Sequence, residues 1–200
     1  MYAAVAPVRF DSTVQSQSYR VVELSRSPDP ADRTLIGIHI EQSVWKSPPE
    51  LASGKMTIRA YALAGRMVRS DRAPLLLGSM GGNFDAGTSR VQLTGGTMIL
   101  LARARGYGLG TYLMNEVVRW AKTHCASGAK VRPVSVADRD AETQDEADRR
   151  NRFYEQFGFR FDDLKPFAGV ERATGRSVED QTLDEFTVLD HVRGVSLYEA

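Results

Sequence analysis

Apolar and polar residues alternate in part over two stretches of the first half, Tyr19–Glu23 and Thr34–Ile40, and both are rich in Val or Ile. That period of two predicts β-strands. Ser25–Arg33 between them is built of Ser, Pro and Asp, which is turn chemistry. Over Met56–Arg69, Ile58, Ala62, Leu63 and Met67 fall on a helical stripe among Ala, Leu, Met and Arg. These are good helix formers, so a helix is expected there. Pro74–Met80 is a short apolar run and reads as a buried strand. Arg90–Leu93 and Thr97–Ala102 read as two strands around a Gly95-Gly96 turn, or as one strand with a bulge at that point.

The second half has a clearer rhythm. Leu109, Leu113, Val117, Trp120 or Ala121, and His124 recur at helical spacing, and Gly128 supplies a stop. Val131–Ala137 reads as a strand, although Pro133 has no N–H for a full ladder. Asp145–Phe157 reads as a helix, polar at first and aromatic at its end, closed by Gly158. Phe159–Phe161, Phe186–Leu189 and Val195–Tyr198 read as strands, with a polar loop before the last two. An order of strand, helix, strand, helix, strand predicts a mixed α/β sheet. Repeats, low-complexity tracts and a dividing linker are not seen, so residues 1–200 read as a single domain.

Composition narrows the function classes. Apolar residues make up 42% and charged residues 26%, enough for a packed core. No run approaches the ~20 apolar residues that a membrane span needs. The net charge of +1 lacks the basic excess of a nucleic-acid binder, so a nucleic-acid partner is not expected. Five of the 26 basic residues are Lys and the rest are Arg, which fits a codon bias or a functional preference for Arg. One cysteine, Cys125, excludes an internal disulfide. The first residues show no secretory pattern, so a cytoplasmic location is expected.

The chemistry is concentrated in Met98–Met114, where an apolar strand runs into a glycine-rich turn and then an amphipathic helix. Backbone N–H groups at a helix N-terminus are unpaired and favour an anion. Gly106, Gly108 and Gly110 carry no Cβ, so a pyrophosphate can approach the main chain. The dinucleotide fingerprint fails, because the sixth place is Thr111 counted from Gly106 and Leu113 counted from Gly108. A P-loop fails for want of Lys.

The run Arg105-Gly-Tyr-Gly-Leu-Gly110 resembles the coenzyme A pyrophosphate loop of the GNAT superfamily of N-acetyltransferases. Asn151-Arg-Phe-Tyr-Glu-Gln-Phe-Gly-Phe159 is similar to that superfamily's later motif, and the two stand in the expected order. The resemblance covers about Arg90–Asp162 and leaves residues 1–89 as a variable, acceptor-side half. It implies an α/β acyl-CoA N-acyltransferase domain whose mixed, mostly antiparallel sheet splays at its centre, with Pro133 compatible with that splay.

The resemblance also implies roles. Amides of Arg105, Gly106, Tyr107, Gly108, Leu109, Gly110 and Thr111 would bind the pyrophosphate of acetyl-CoA, the co-substrate. The backbone of Ile99, Leu100 and Leu101 would pair with the pantetheine arm, and Asn151 would hydrogen-bond it. Tyr154 would protonate the departing thiolate, as a phenol with a reference pKa near ~10 is able to do. Ala147 stands where many members carry Asn, and Arg150 where a small residue is common. The acceptor would be an amine attacking the thioester directly, and a homodimer is common among relatives.

A general base is not singled out. Glu41 and Asp85 flank predicted strands and are candidates, each also fitting a surface acid. His39 reads as a packed core residue, His124 as a cation at a helix end, and His191 as a turn residue. No His/Cys cluster has metal-ligand spacing and Cys125 has no His pattern beside it, so metal and thiol catalysis are not expected. Six acids between Asp138 and Asp148 fit the dipole of a helix start, or a lip for a cationic acceptor. Two rivals stay open: a non-catalytic module of the same fold binding a protein or nucleic acid, and an enzyme using a longer acyl or aminoacyl donor.

Overall fold

The computed structural model describes residues 12–27, 29–47, 51–65, 74–94, 99–137, 141, 143–162, 164, 173–190 and 192–197. Four long antiparallel strands form a meander: β1 (Ser12–Leu24), β2 (Thr34–Ser47), β3 (Leu51–Gly65) and β4 (Leu75–Asp85). Even-numbered positions point to the core over Ile36–Ile40 of β2 and Met56–Ala62 of β3. Ile36, Ile38 and Ile40 of β2 meet Ala62, Ala60 and Ile58 of β3 in register, all buried. Alternation of this kind puts one face of a strand into the interior.

The expectation of a helix over Met56–Arg69 is wrong. Met56, Ile58, Ala60 and Ala62 are buried at a period of two in β3, and residues 66–69 lie outside the described residues. Helix propensity is a fraction of a kcal/mol per residue. Here it is overridden by hydrogen bonding to β2 on one side and β4 on the other.

The second half is built of short strands. β5 (Arg90–Gln92) and β6 (Ile99–Leu100) both pair with β4, at Asn83–Asp85 and at Gly78–Ser79. They sit on one edge of β4 with an interruption between them, in which Gly95–Met98 lie outside the described residues. Helix α1 (Leu109–His124) follows and packs on β4 and β3, with Gly82 against Val117 and Trp120. The predicted strand Val131–Ala137 is divided into β7 (Lys130–Val131) and β8 (Ser135–Ala137), with Pro133 in the gap. β7 runs parallel to β5, whereas β8 turns away to pair with β9 (Ala173–Arg176) in a separate sheet. α2 (Gln144–Glu155) lies between β8 and β9 in sequence.

β9 falls in a segment expected to be loop, and its partner β8 is what makes it a strand. Two other predicted strands are corrected. Phe161 forms only an isolated bridge to Ser177, and Phe186–Leu189 is irregular. In the latter the Thr187 N–H donates to the Phe157 carbonyl and the Leu189 N–H to the Asn115 side chain, so side-chain and loop partners replace a ladder. β10 (Val195–Leu197) ends the described chain by pairing with β1. The large sheet thus has the order β10-β1-β2-β3-β4-β5-β7, with β6 also on β4. It is a mixed α/β architecture, mostly antiparallel, with two α-helices among the described residues. None of the described helices is long and apolar enough to cross a membrane.

Candidate functional site

β6 and β8 do not pair, because the chain leaves the sheet between β7 and β8. A cleft of about 1540 Å³ lies there, lined by Leu100 of β6, Ser135 and Val136 of β8, the start of α1 and one face of α2. Its floor is set by the turn after β6. The Leu101 N–H donates to the Leu77 carbonyl at 2.8 Å, and a short 3-10 turn over Ala102–Ala104 leads to Arg105. Gly106 and Gly108 follow at φ of +79° and +78°. Side chains rarely adopt that region, so glycine is required for the path.

Gly108 caps α1 with no side-chain acceptor, and the first turn carries no acid. The amides of that turn therefore keep their partial positive charge for a ligand. Arg105, Gly106, Gly108, Gly110 and Thr111 line the cleft. Tyr107 and Leu109 turn the other way into the core and anchor the loop. The Tyr107 hydroxyl donates to Asp32 at 3.3 Å, and the Arg26 guanidinium lies 3.8 Å above its ring. Arg26 also donates to the Arg105 carbonyl, and its backbone N–H bonds Asp32 at 2.8 Å. A guanidinium from the β1–β2 turn is thereby held over the glycine loop.

The opposite wall is α2. Thr143 caps it by accepting from the Glu146 N–H at 3.3 Å, and Asp145 and Glu146 occupy its first turn. The acids there complement the helix dipole. Asp138, Asp140 and Glu142 lie outside the described residues. Tyr154 lines the cleft and is 8% exposed, with ring contacts to Phe153, Phe159 and Phe161 at 5.2, 5.5 and 6.4 Å. Asn151, expected on the same side, does not line the cleft; it accepts from the Arg150 guanidinium at 3.1 Å. Arg150, four residues before Tyr154, takes that place and donates to the Ala137 carbonyl at the end of β8. A spacing of four keeps residues on one helix face better than a spacing of three.

Among the described residues, six arginines line the cleft (26, 105, 149, 150, 152 and 193) against one acid, Glu146, which is 3.9 Å from Arg105. The sequence reading singled out Arg105 and missed Arg26, Arg149, Arg152 and Arg193 as site residues. The Arg bias was the available signal, but it has no position in it.

The other candidates lie elsewhere. Glu41 pairs with Arg59 at 2.5 Å on β2 and does not line the cleft. Asp85 holds the β4–β5 turn by accepting from the Gly87 N–H at 2.9 Å and the Thr88 hydroxyl at 3.2 Å. His39 is not a core residue as expected: it is half-buried on the sheet face opposite the core, stacked under Tyr19 at 4.5 Å. His124 packs on Phe84 and Trp120, and His191 lies outside the described residues. Burial pushes the Cys125 thiol up to about 11, which keeps it protonated at neutral pH. No group of His, Cys, Asp or Glu that would hold a metal ion gathers among the described residues. Compared with protein-family models, curated proteins and solved structures, the chain matches none.

Proposed function

We propose that this chain binds acetyl-CoA in the cleft and transfers the acetyl group to an amine acceptor, on a single GNAT-like domain whose sheet is splayed at its centre. The observation that carries the reading is that the glycine loop, a cluster of arginines and Tyr154 all line one cleft where β6 and β8 part. Open amides at Gly108–Thr111 and the guanidiniums of Arg26, Arg105 and Arg193 suit a pyrophosphate, and the free edge of β6 suits an extended amide arm.

Acetyl-CoA supplies an activated thioester: the amine forms the C–N bond, the C–S bond breaks, and the sulfur leaves as a thiolate. On this reading the Tyr154 hydroxyl donates its proton to that sulfur, the excess proton on the attacking nitrogen passes to solvent, and the Tyr154 phenolate regains a proton from solvent. The loop amides and arginines hold the phosphates, so most of the rate comes from positioning.

A second reading, a binding module without turnover, is favoured by Arg150. It puts a long cationic side chain on the cleft wall near Tyr154, where the resembling family commonly carries a small residue. Calorimetric titration of acetyl-CoA into the wild type and Gly108→Trp tests the first step. Saturable binding that is lost in the variant is expected, and no binding by the folded wild type overturns the reading. Tyr154→Phe then separates enzyme from module. A fall in kcat of tenfold or more with KM for acetyl-CoA unchanged is expected of a proton donor, and absence of turnover by the wild type with any amine favours the module.

A further inference from the structure

The cleft has a third wall that neither motif contributes. Leu189, Val192, Arg193 and Gly194, from the segment just before β10, line it beside the glycine loop. The contact is tight: a Cβ on Gly108 would collide with the Arg193 carbonyl, and one on Gly194 would stand 3.0 Å from the Tyr107 carbonyl. Gly108 is therefore demanded by this segment as well as by its own φ.

The segment is tied at both ends. At one end the Ser25 N–H donates to the Gly194 carbonyl at 3.0 Å, just before β10 pairs with β1. At the other end stands Asn115, on α1 and only 4% exposed. Its Nδ2 donates to the Leu189 carbonyl and its Oδ1 accepts from the Leu189 N–H, both at 2.7 Å. One amide side chain thus satisfies both polar groups of one peptide residue, as a neighbouring strand would. Asn at this buried place on α1 is costly without such partners, and an apolar residue would pack there at lower cost.

We infer that Asn115 is a positioning residue for the anion-binding end of the cleft, holding Leu189, and with it Val192, Arg193 and Gly194, against the glycine loop so that Arg193 and the loop amides face one ligand. This deepens the acetyl-CoA reading and rests on it. Without the clamp, the described backbone ties of the chain here are those of Thr187 to Phe157 and of Gly194 to Ser25, and the stretch between them loses its hold on α1.

The test compares wild type, Asn115→Leu and Asn115→Asp. Asn115→Asp keeps the size and the acceptor for Leu189, and serves if the Leu variant does not fold. Amide hydrogen exchange of 189–194 reads the clamp, and calorimetric titration with CoA reads the site. Expected in a folded variant is faster exchange over 189–194 together with a Kd for CoA raised tenfold or more. Faster exchange with a Kd within twofold of wild type overturns the inference, because the role is then structural only. Unchanged exchange overturns it too, because Asn115 then holds nothing. A wild type that does not bind CoA overturns the acetyl-CoA reading itself, and the inference falls with it.

Discussion

The meander β1–β4 and the segment from β5 to β9 share one apolar core but hold their strands by different means. Meander strands run 11 to 15 residues and pair along nearly their whole length, so backbone partners satisfy backbone groups. Strands β5–β9 are two to four residues long, and side chains do much of the tying. Gln181 joins the Gly158 carbonyl at 2.6 Å to the Arg160 N–H at 3.0 Å, Ser177 accepts from the Val134 N–H at 2.9 Å, and Asn115 holds Leu189. Of the buried polar residues among those described, Asn115, Glu116, Ser177 and Gln181 serve this part or the helix packed on the sheet, and only Thr34 lies in a meander strand. A fully laddered sheet offers a ligand no free backbone. The cleft appears where ladders stop and individual side chains take over.

That division is open to breaking. The largest effect expected is Ile58→Ala in the middle of the meander, where a fully buried side chain is deleted. A loss of about 3 kcal/mol in unfolding free energy is expected, within the usual range for such cavities, and is read by denaturant titration. CoA affinity of the folded variant should stay within twofold of wild type; a large fall in affinity would mean that the meander shapes the cleft directly.

Next comes Arg26→Ala, which removes the guanidinium over the glycine loop together with its stacking on the Tyr107 ring. A tenfold rise in Kd for CoA, ~1.4 kcal/mol, is expected, shrinking as salt is raised because an exposed charge is screened. An unchanged Kd would leave the loop amides and the other arginines as the whole anion site.

The smallest effect concerns Glu185, whose carboxyl is held below its ordinary value of 4.5, first by the backbone N–H of Thr182 and then by Arg160. A depressed carboxylate pKa stabilises the folded state above pH 4.5, and that contribution is lost as pH falls through the lower, folded value. Glu185→Gln should therefore lower Tm slightly at pH 7, with the difference from wild type fading below pH 4.5. A difference that persists in acid would mean packing, not charge, is at work.

Much of the local structure was legible. The stripe from Leu109 to His124 appears as α1, and the chain turns at Gly106 and Gly108 because only glycine takes a positive φ there easily. β3 was misread although its period of two was present in Met56, Ile58, Ala60 and Ala62. Good helix formers obscured it, and the two flanking strands decided the outcome. The expectation for Asn151 failed on a finer point of helix geometry, since Arg150 rather than Asn151 shares the face of Tyr154 in the cleft.

By itself the sequence determined α1, α2 and the glycine turn at Gly106 and Gly108, because these depend on φ limits and periodicity within a few residues. The tertiary structure decided which distant residues meet them. Leu24 pairs with Val195 across β1 and β10, and that register delivers Arg26 from one strand end and Arg193 from the other to the glycine loop. Strand order and register are set by the whole core at once, so no short window of sequence contains them.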